Sequence, residues 1–354
     1  MPHLHRFSAW NFTESDMEIM ARFQTRTVST IGSKEASSTY RDCIAHLAFT
    51  HPFLMHMVLS LTLMHDAHLA ASPNDDLSTK CEKASLMHWS TATKLFNNML
   101  SRPIPPSYKD AIWATGALLG TASMAYIESS KPENAWPLKP PDPNDLDWLK
   151  LSEGKRAVWK IAEPDRPESM FYQMGKQMNH MQRPDWVVNP DFDSLPPHLA
   201  RLFDITPTST VEENIYYLPL LCVRRTQELT LTQDLVIPFI LFLLYMTPDF
   251  RALLELKDPR AMLLLLWWFR KVATGHNDIW WMARRARVEG KAIEIWLDRW
   301  YGGEEGLMKM FERLRGGGNE EVDKDKDAFI DPAMVLMDCP GWGKERSTAD
   351  IFVQ

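Results

Sequence analysis

The densest group of side chains able to do chemistry is His65-Asp66-Ala67-His68, with His56 nine residues before it. Two imidazoles three residues apart lie about one helical turn from each other, which is the spacing of a ligand pair, but zinc needs a third or fourth ligand. On a helix Asp66 points about 100° away from His65, so the triple does not share one face. His56 falls roughly on the His65 side and would complete a set only loosely. The pattern predicts structural or pocket-lining histidines and no metal centre. If the chain is an enzyme, His56, His65, Asp66 and His68 are its candidate acids and bases. His3 and His5 alternate near the N-terminus, where an unsupported pair reads as a loose end. Asp75-Asp76 and Asp145-x-Asp147 stand beside Asn or Pro and are predicted to serve turns. Arg284-Arg285-x-Arg287 is the basic cluster, and its setting predicts a solvated helix face.

Other chemistries lack their motifs. The chain contains no Gly-x-Ser-x-Gly elbow, Walker phosphate loop, His-Glu-x-x-His helix or dinucleotide glycine fingerprint, so hydrolase, nucleotide and hydride-transfer readings have no support and no cofactor is expected. A formal charge of −7 does not suggest a general binder of nucleic acid or anionic membrane. Cys43, Cys81, Cys222 and Cys339 lie far apart with no Cys-x-x-Cys pair, and no secretory leader is evident, which predicts a reducing compartment and no disulfide framework. The run Leu235 to Met246 is interrupted by Pro238 and is too short for the roughly 20 apolar residues that span a bilayer. A soluble protein is expected.

The elements that must position these residues read as helices. Thr50 and His51 are N-cap candidates before Pro52, whose fixed φ suits a first helical turn. From Phe53 the positions Leu54, Met57, Val58, Leu61 and Met64 recur at helical steps, while Met55, Leu59 and Leu63 fill the other side, so this helix belongs in a core. Thr13 to Asp16 caps a helix carrying Met17, Ile19, Met20 and Phe23. Further helices are predicted over Leu77 to Leu100, Tyr108 to Ile127, Asp147 to Ile161, Val211 to Leu231, Leu235 to Tyr245, Pro259 to Val272 and Ile279 to Trp300. Gly116 and Gly120, four apart, predict close helix packing. On the last helix Trp281, Val288, Ile295 and Leu297 are expected inside, with Arg284, Arg285, Arg287, Glu289 and Lys291 outside. Prolines make 128–148 a surface excursion and 162–210 a long, partly ordered loop anchored by Phe171 and Met174.

The fold class is therefore all-α: a single large helical domain with proline-rich loops and a flexible C-terminal tail. Its divisions are an N-terminal segment 1–37, a helical domain 38–301 and a tail 302–354, whose start is dominated by glycine and charge.

Several passages carry a resemblance. Ala48-Phe49-Thr50-His51-Pro52-Phe53-Leu54-Met55-His56, the closing Leu63-Met64-His65-Asp66-Ala67-His68-Leu69, Asp147-Trp148-Leu149-Lys150-Leu151, Asp258-Pro259-Arg260-Ala261-Met262 and Trp280-Trp281-Met282 resemble the regulatory domain of fungal binuclear-zinc-cluster transcription factors, of the sterol-uptake-regulator type. The resemblance runs over residues 38–300. It implies an all-helical ligand-binding domain in a regulator, a sterol or other lipid as ligand, and a nuclear or cytoplasmic location. The six-cysteine element that reads DNA in that family is absent, since no two cysteines here lie within thirty residues of each other, so direct sequence-specific DNA binding is not expected. The 20 Met and 14 Trp suit an apolar cavity, and Met57, Leu61, Met64, Trp113, Phe239, Trp267 and Trp268 are the candidate lining.

The favoured function is a regulatory protein without its own zinc cluster that binds a hydrophobic small molecule, sterol-like or terpenoid, or a protein partner. A second reading turns the same pocket to catalysis in secondary metabolism, cyclising or isomerising a lipid-like or terpenoid metabolite. A third is a truncated gene model whose zinc cluster lies upstream of Met1.

Overall fold

Local signals start the helices. Thr13 accepts from the Asp16 amide and Asp16 from the Thr13 amide, closing a capping box before helix α1, Glu14–Thr25. Pro52 opens α3, Pro52–Leu69, at a position where its missing N–H costs nothing. His51 is its N-cap but makes no capping bond with its side chain; the ring instead bonds the Leu47 carbonyl at 2.9 Å. Thr247 caps α12, Pro248–Glu255, and Asp258 receives the Arg260 and Ala261 amides ahead of α13, Pro259–Ala273.

The computed structural model describes residues 12–70, 76–180, 185–188, 190–276 and 279–315. Besides α1, α3, α12 and α13, its helices are α2, Lys34–Ala48; α4, Asp76–Leu100; α5, Lys109–Ala125; α6, Asp147–Ala162; α7, Tyr172–His180; α8, Asp185–Val188; α9, Pro197–Leu202; α10, Tyr217–Thr226; α11, Val236–Leu244; α14, Trp280–Tyr301; and α15, Gly303–Arg315. No strand occurs among the described residues, so the fold is all-α. The described residues through Glu312 form one compact unit.

Helix α3 is the hub. Phe53, Leu54, Met55, Met57, Val58, Leu59, Leu61 and Leu63 are buried all round its axis, because α1, α2, α4 and α5 surround it. A helix apolar on every side is stable only in such a position. Helix α5 packs on α6 through its glycines: a Cβ on Gly116 would sit 2.9 Å from Val158 Cγ1, and one on Gly120 would sit 2.7 Å from Lys155 Cε. That close approach is what the four-residue spacing predicted. Helices α13 and α14 pair with each other, and α14 also packs on α5.

The structure corrects several expectations. The stretch 128–148 is not simply a surface excursion, because Trp136 and Leu146 are buried and pull the proline-rich chain onto the core. Phe171 and Met174 are buried anchors as expected, but 162–210 also holds α7, α8 and α9. The helix expected over Val211 to Leu231 is confined to α10, and α12 fills a stretch to which no element was assigned. Gly303–Arg315, counted with the tail, is helix α15, and its Leu307 is buried. The rest of that tail lies outside the described residues, as do His3, His5 and Cys339.

Candidate functional site

The histidines at the C-terminal end of α3 meet the 3-10 turn Thr27–Thr30 and the start of α14. His65 is buried, its ring stacked on Trp280 with centroids 4.8 Å apart and planes 3° from parallel. Its Nδ1 shares a 3.1 Å hydrogen bond with Thr27 Oγ1. Trp280 is fixed in turn by donating its indole N–H to Thr30 Oγ1 at 3.0 Å, and the neighbouring Trp281 donates to the Thr30 carbonyl at 3.0 Å. His68, exposed, continues the row with its ring 5.6 Å from Trp280 and 6.5 Å from His65.

Asp66 turns away from this row, as the helical angle requires. It receives Arg22 Nε at 3.2 Å and is ion-paired with Arg26. A metal at the triple would need Asp66 on the imidazole face, and among the described residues no three His, Cys, Asp or Glu side chains are grouped to hold one.

The electrostatics keep these rings neutral at pH 7. Burial, with Arg26 and His68 adding positive charge, pushes the His65 pKa down to about 4. Desolvation, then Arg287 and Arg284, lowers that of His68. His56 lies elsewhere, on the α4 side of α3, with its Nδ1 2.9 Å from His88 Nδ1; burial and His88 push its pKa down to about 4. Asp16 Oδ1 stands 3.8 Å from His88 Nε2. A base that takes up a proton only near pH 4 is poorly matched to proton abstraction at neutral pH. His56 and His65 thus belong to two separate clusters and do not form one acid–base constellation.

The seven candidate lining residues also divide. Met57, Leu61 and Met64 on α3 and Trp113 on α5 are buried on adjacent helices. Trp113 meets Trp159 edge to face at 5.3 Å, and its indole N–H is buried without a partner. Phe239 and Trp268 lie together where α11 meets α13, Trp268 donating to the Phe239 carbonyl at 2.9 Å and stacking on Phe242 at 5.2 Å. Trp267, one residue round the helix, faces elsewhere: it donates to Glu304 at 3.0 Å and meets Phe203.

Sequence reasoning placed Arg285 and Glu289 on a solvated face, and both are buried. They pair with each other one turn apart on α14, and Trp148 lies over the Arg285 guanidinium at 4.6 Å. The readable signal was their company, since Ala283, Ala286, Gly290 and Ala292 make that face too small-sided for an outer surface. Arg284, paired with Glu82 at 3.1 Å, and Arg287, exposed, are on the outer side as expected.

No family model matches the chain. It is similar to sterol uptake control protein 2 of Candida albicans, at 23% identity over 353 residues, an alignment that takes in 92% of this chain and 46% of that protein. The chain therefore spans about half the length of the curated relative it matches, and the relation is a distant one running through nearly all of its own helices.

Proposed function

We propose that this protein is a regulatory, ligand-binding domain that takes up a hydrophobic small molecule of the sterol or terpenoid kind. The observation that carries the reading is the similarity, over 92% of the chain, to a protein named for control of sterol uptake. The interior supports it: Met57, Leu61 and Met64 on the hub helix and Trp113 on α5 are buried, and methionine and tryptophan give adaptable, broad apolar contact. The helical region 38–301 is the functional unit in this proposal. In this proposal it acts in the nucleus or cytoplasm, through the bound molecule or a protein partner.

Catalysis fits less well, since the two most buried candidate bases, His56 and His65, hold protons only near pH 4 and sit in different clusters. The proposal is tested by equilibrium binding of radiolabelled cholesterol, delivered from cyclodextrin, to the purified chain. Saturable binding weakened by Leu61→Ala and little altered by His65→Ala is the expected result. Absence of saturable binding by cholesterol, ergosterol and a terpenoid alcohol overturns it. Sequence-selective, nanomolar binding to duplex DNA at physiological salt would overturn the statement that the chain does not read DNA itself.

A further inference from the structure

The last turn of α3, Asp66 to Leu69, is where four helices meet, and three of its residues are tied to three different neighbours. Asp66 receives Arg22 Nε at 3.2 Å and is ion-paired with Arg26, both from α1. The Ala67 carbonyl accepts from Ser78 Oγ of α4 at 3.3 Å. The His68 ring lies 5.6 Å from that of Trp280 on α14. One turn further along α4, Glu82 holds Arg284 of α14 at 3.1 Å, which closes the circle of contacts around the helix end. Trp280, Arg284 and Arg287 share one face of α14, being spaced four and then three residues apart. Both arginines stand close enough to His68 to disfavour its protonation.

The charge at this junction does not cancel. Arg22, Arg26, Arg284 and Arg287 face only Asp66 and Glu82, while His65 and His68 are neutral at pH 7. Arg287 is exposed and makes no ion pair among the described residues. Lys80 does not add to the excess, since it is paired with Asp76 at 2.7 Å. A positive region is thus left on a chain whose formal charge is −7. Apolar surface stands beside it: Leu69, at the end of α3, and Leu77, at the start of α4, are 52% and 58% exposed.

Exposed leucines next to uncompensated arginines match the composition of a protein-binding surface. Arg22, Arg26 and Arg284 are held in fixed directions by their carboxylates, which suits the planar, forked recognition of further carboxylates. A lipid surface or a nucleic-acid backbone calls for a run of uncompensated basic residues, and here half of the arginine charge is already neutralised. We propose that the end of α3, between Arg22 and Arg26 on one side and Arg284 and Arg287 on the other, docks an acidic amphipathic segment of a partner protein. The carboxylates of that segment meet the arginines, and its apolar side chains cover Leu69 and Leu77. This gives the partner route of the functional proposal its surface, and it does not require a bound lipid.

The test uses the full chain and a fluorescein-labelled peptide of about four helical turns, with Leu and Phe at i, i+3, i+4 and i+7 and Asp and Glu elsewhere, read by fluorescence anisotropy at physiological salt. Saturable binding that weakens by about tenfold in Arg287→Glu and in Leu69→Ser is expected. Both residues are exposed, so both variants should keep the circular dichroism of the wild type. Lys94→Glu makes the same change of charge at an exposed position about three turns beyond Glu82 on α4, and it should bind as the wild type does. The same peptide with Lys in place of its acids should not bind. Absence of saturable binding overturns the docking surface, and so does full retention of binding in either Arg287→Glu or Leu69→Ser. Equal weakening by Lys94→Glu and Arg287→Glu overturns it as well, by reducing the effect to net charge. Tighter binding of phosphatidylserine vesicles or duplex DNA than of the peptide, lost in Arg287→Glu, assigns the arginines to phosphate and overturns the acidic partner. Cholesterol binding is measured separately, so failure of either reading leaves the other standing.

Discussion

Single side chains in this protein are held in protonation states that work against one another as pH changes. His65 has its folded pKa at about 4, below the 6.5 of an unperturbed histidine, because it is buried between Thr27 and Trp280 with Arg26 nearby. The unfolded chain therefore binds more protons, and the stability this histidine supports is complete above pH 6.5 and lost as pH falls toward 4. His56 has the same sign. The loss from His65 should be on the order of 1–3 kcal/mol across that window, readable as a falling urea midpoint at constant slope. The direct check is a nitrogen-15 titration of the ring, which should remain neutral down to pH 5; a midpoint above pH 6 would contradict it. Glu289 carries the opposite sign. Burial outweighs the pull of Arg285 and raises its pKa to about 7, so the folded state binds the extra proton and this group's contribution declines as pH rises from about 4.5 through 7. Glu289→Gln should therefore flatten the alkaline side of the stability profile and leave the histidine-driven acid side intact. A pH profile unchanged in that variant would mean that Glu289 titrates as an ordinary exposed carboxyl.

At the scale of elements, the α5–α6 contact sets a sharp contrast between two glycines. Gly116 faces both methyls of Val158, at 2.9 and 3.2 Å from where its own Cβ would lie. Gly116→Val should force the helices apart and destabilise by about 1–3 kcal/mol, the usual cost of overpacking. Gly154, on α6, would have nothing within 4 Å of a Cβ. Gly154→Ala should stabilise by roughly 0.5–1 kcal/mol by reducing the freedom of the unfolded chain. Thermal denaturation of the two variants checks both signs, and equal effects would show that helix propensity, not packing, dominates here. Helices α1, α3, α4, α5, α6, α13 and α14 were legible because each repeats its apolar step over several turns or begins on a cap or proline. Helices α8, α9 and α12 have 4, 6 and 8 residues, too few turns for a period to emerge from the prolines around them. Arg285 and Glu289 were misread for a different reason. An Arg and a Glu four residues apart have the same pattern in a sequence whether they face water or neighbouring helices; the small residues around them were the cue, and the packing of α14 on α5 decides it.

For the whole molecule, a ligand that enters the helical interior must act through mass action on folding. A molecule bound only by the native chain stabilises it by about 2.7 kcal/mol at a hundred times its Kd, which for a large domain corresponds to a rise in Tm on the order of 5–10 °C. If binding is the function, cholesterol should raise Tm by that amount. Met57→Ala should reduce the shift, because Met57 is wholly buried on the hub helix and contributes apolar contact alone. Its lower starting Tm is set aside by comparing shifts and not midpoints. His65→Ala should leave the shift nearly intact, since the ring stacks on Trp280 at the end of α3, beyond the Met57 and Leu61 turns. The catalytic reading predicts another pattern. Proton transfer contributes typically about a hundredfold to ten-thousandfold to a rate, so turnover of a terpenoid or polyene would vanish in His65→Ala or Asp66→Asn while the thermal shift persisted. Asp66 is committed to Arg22 and Arg26, and His65 to Thr27 and Trp280, so neither has a free face to offer a reacting carbon. Conversion of such a metabolite by the purified chain, lost in either variant, would reverse the assignment from binding to catalysis.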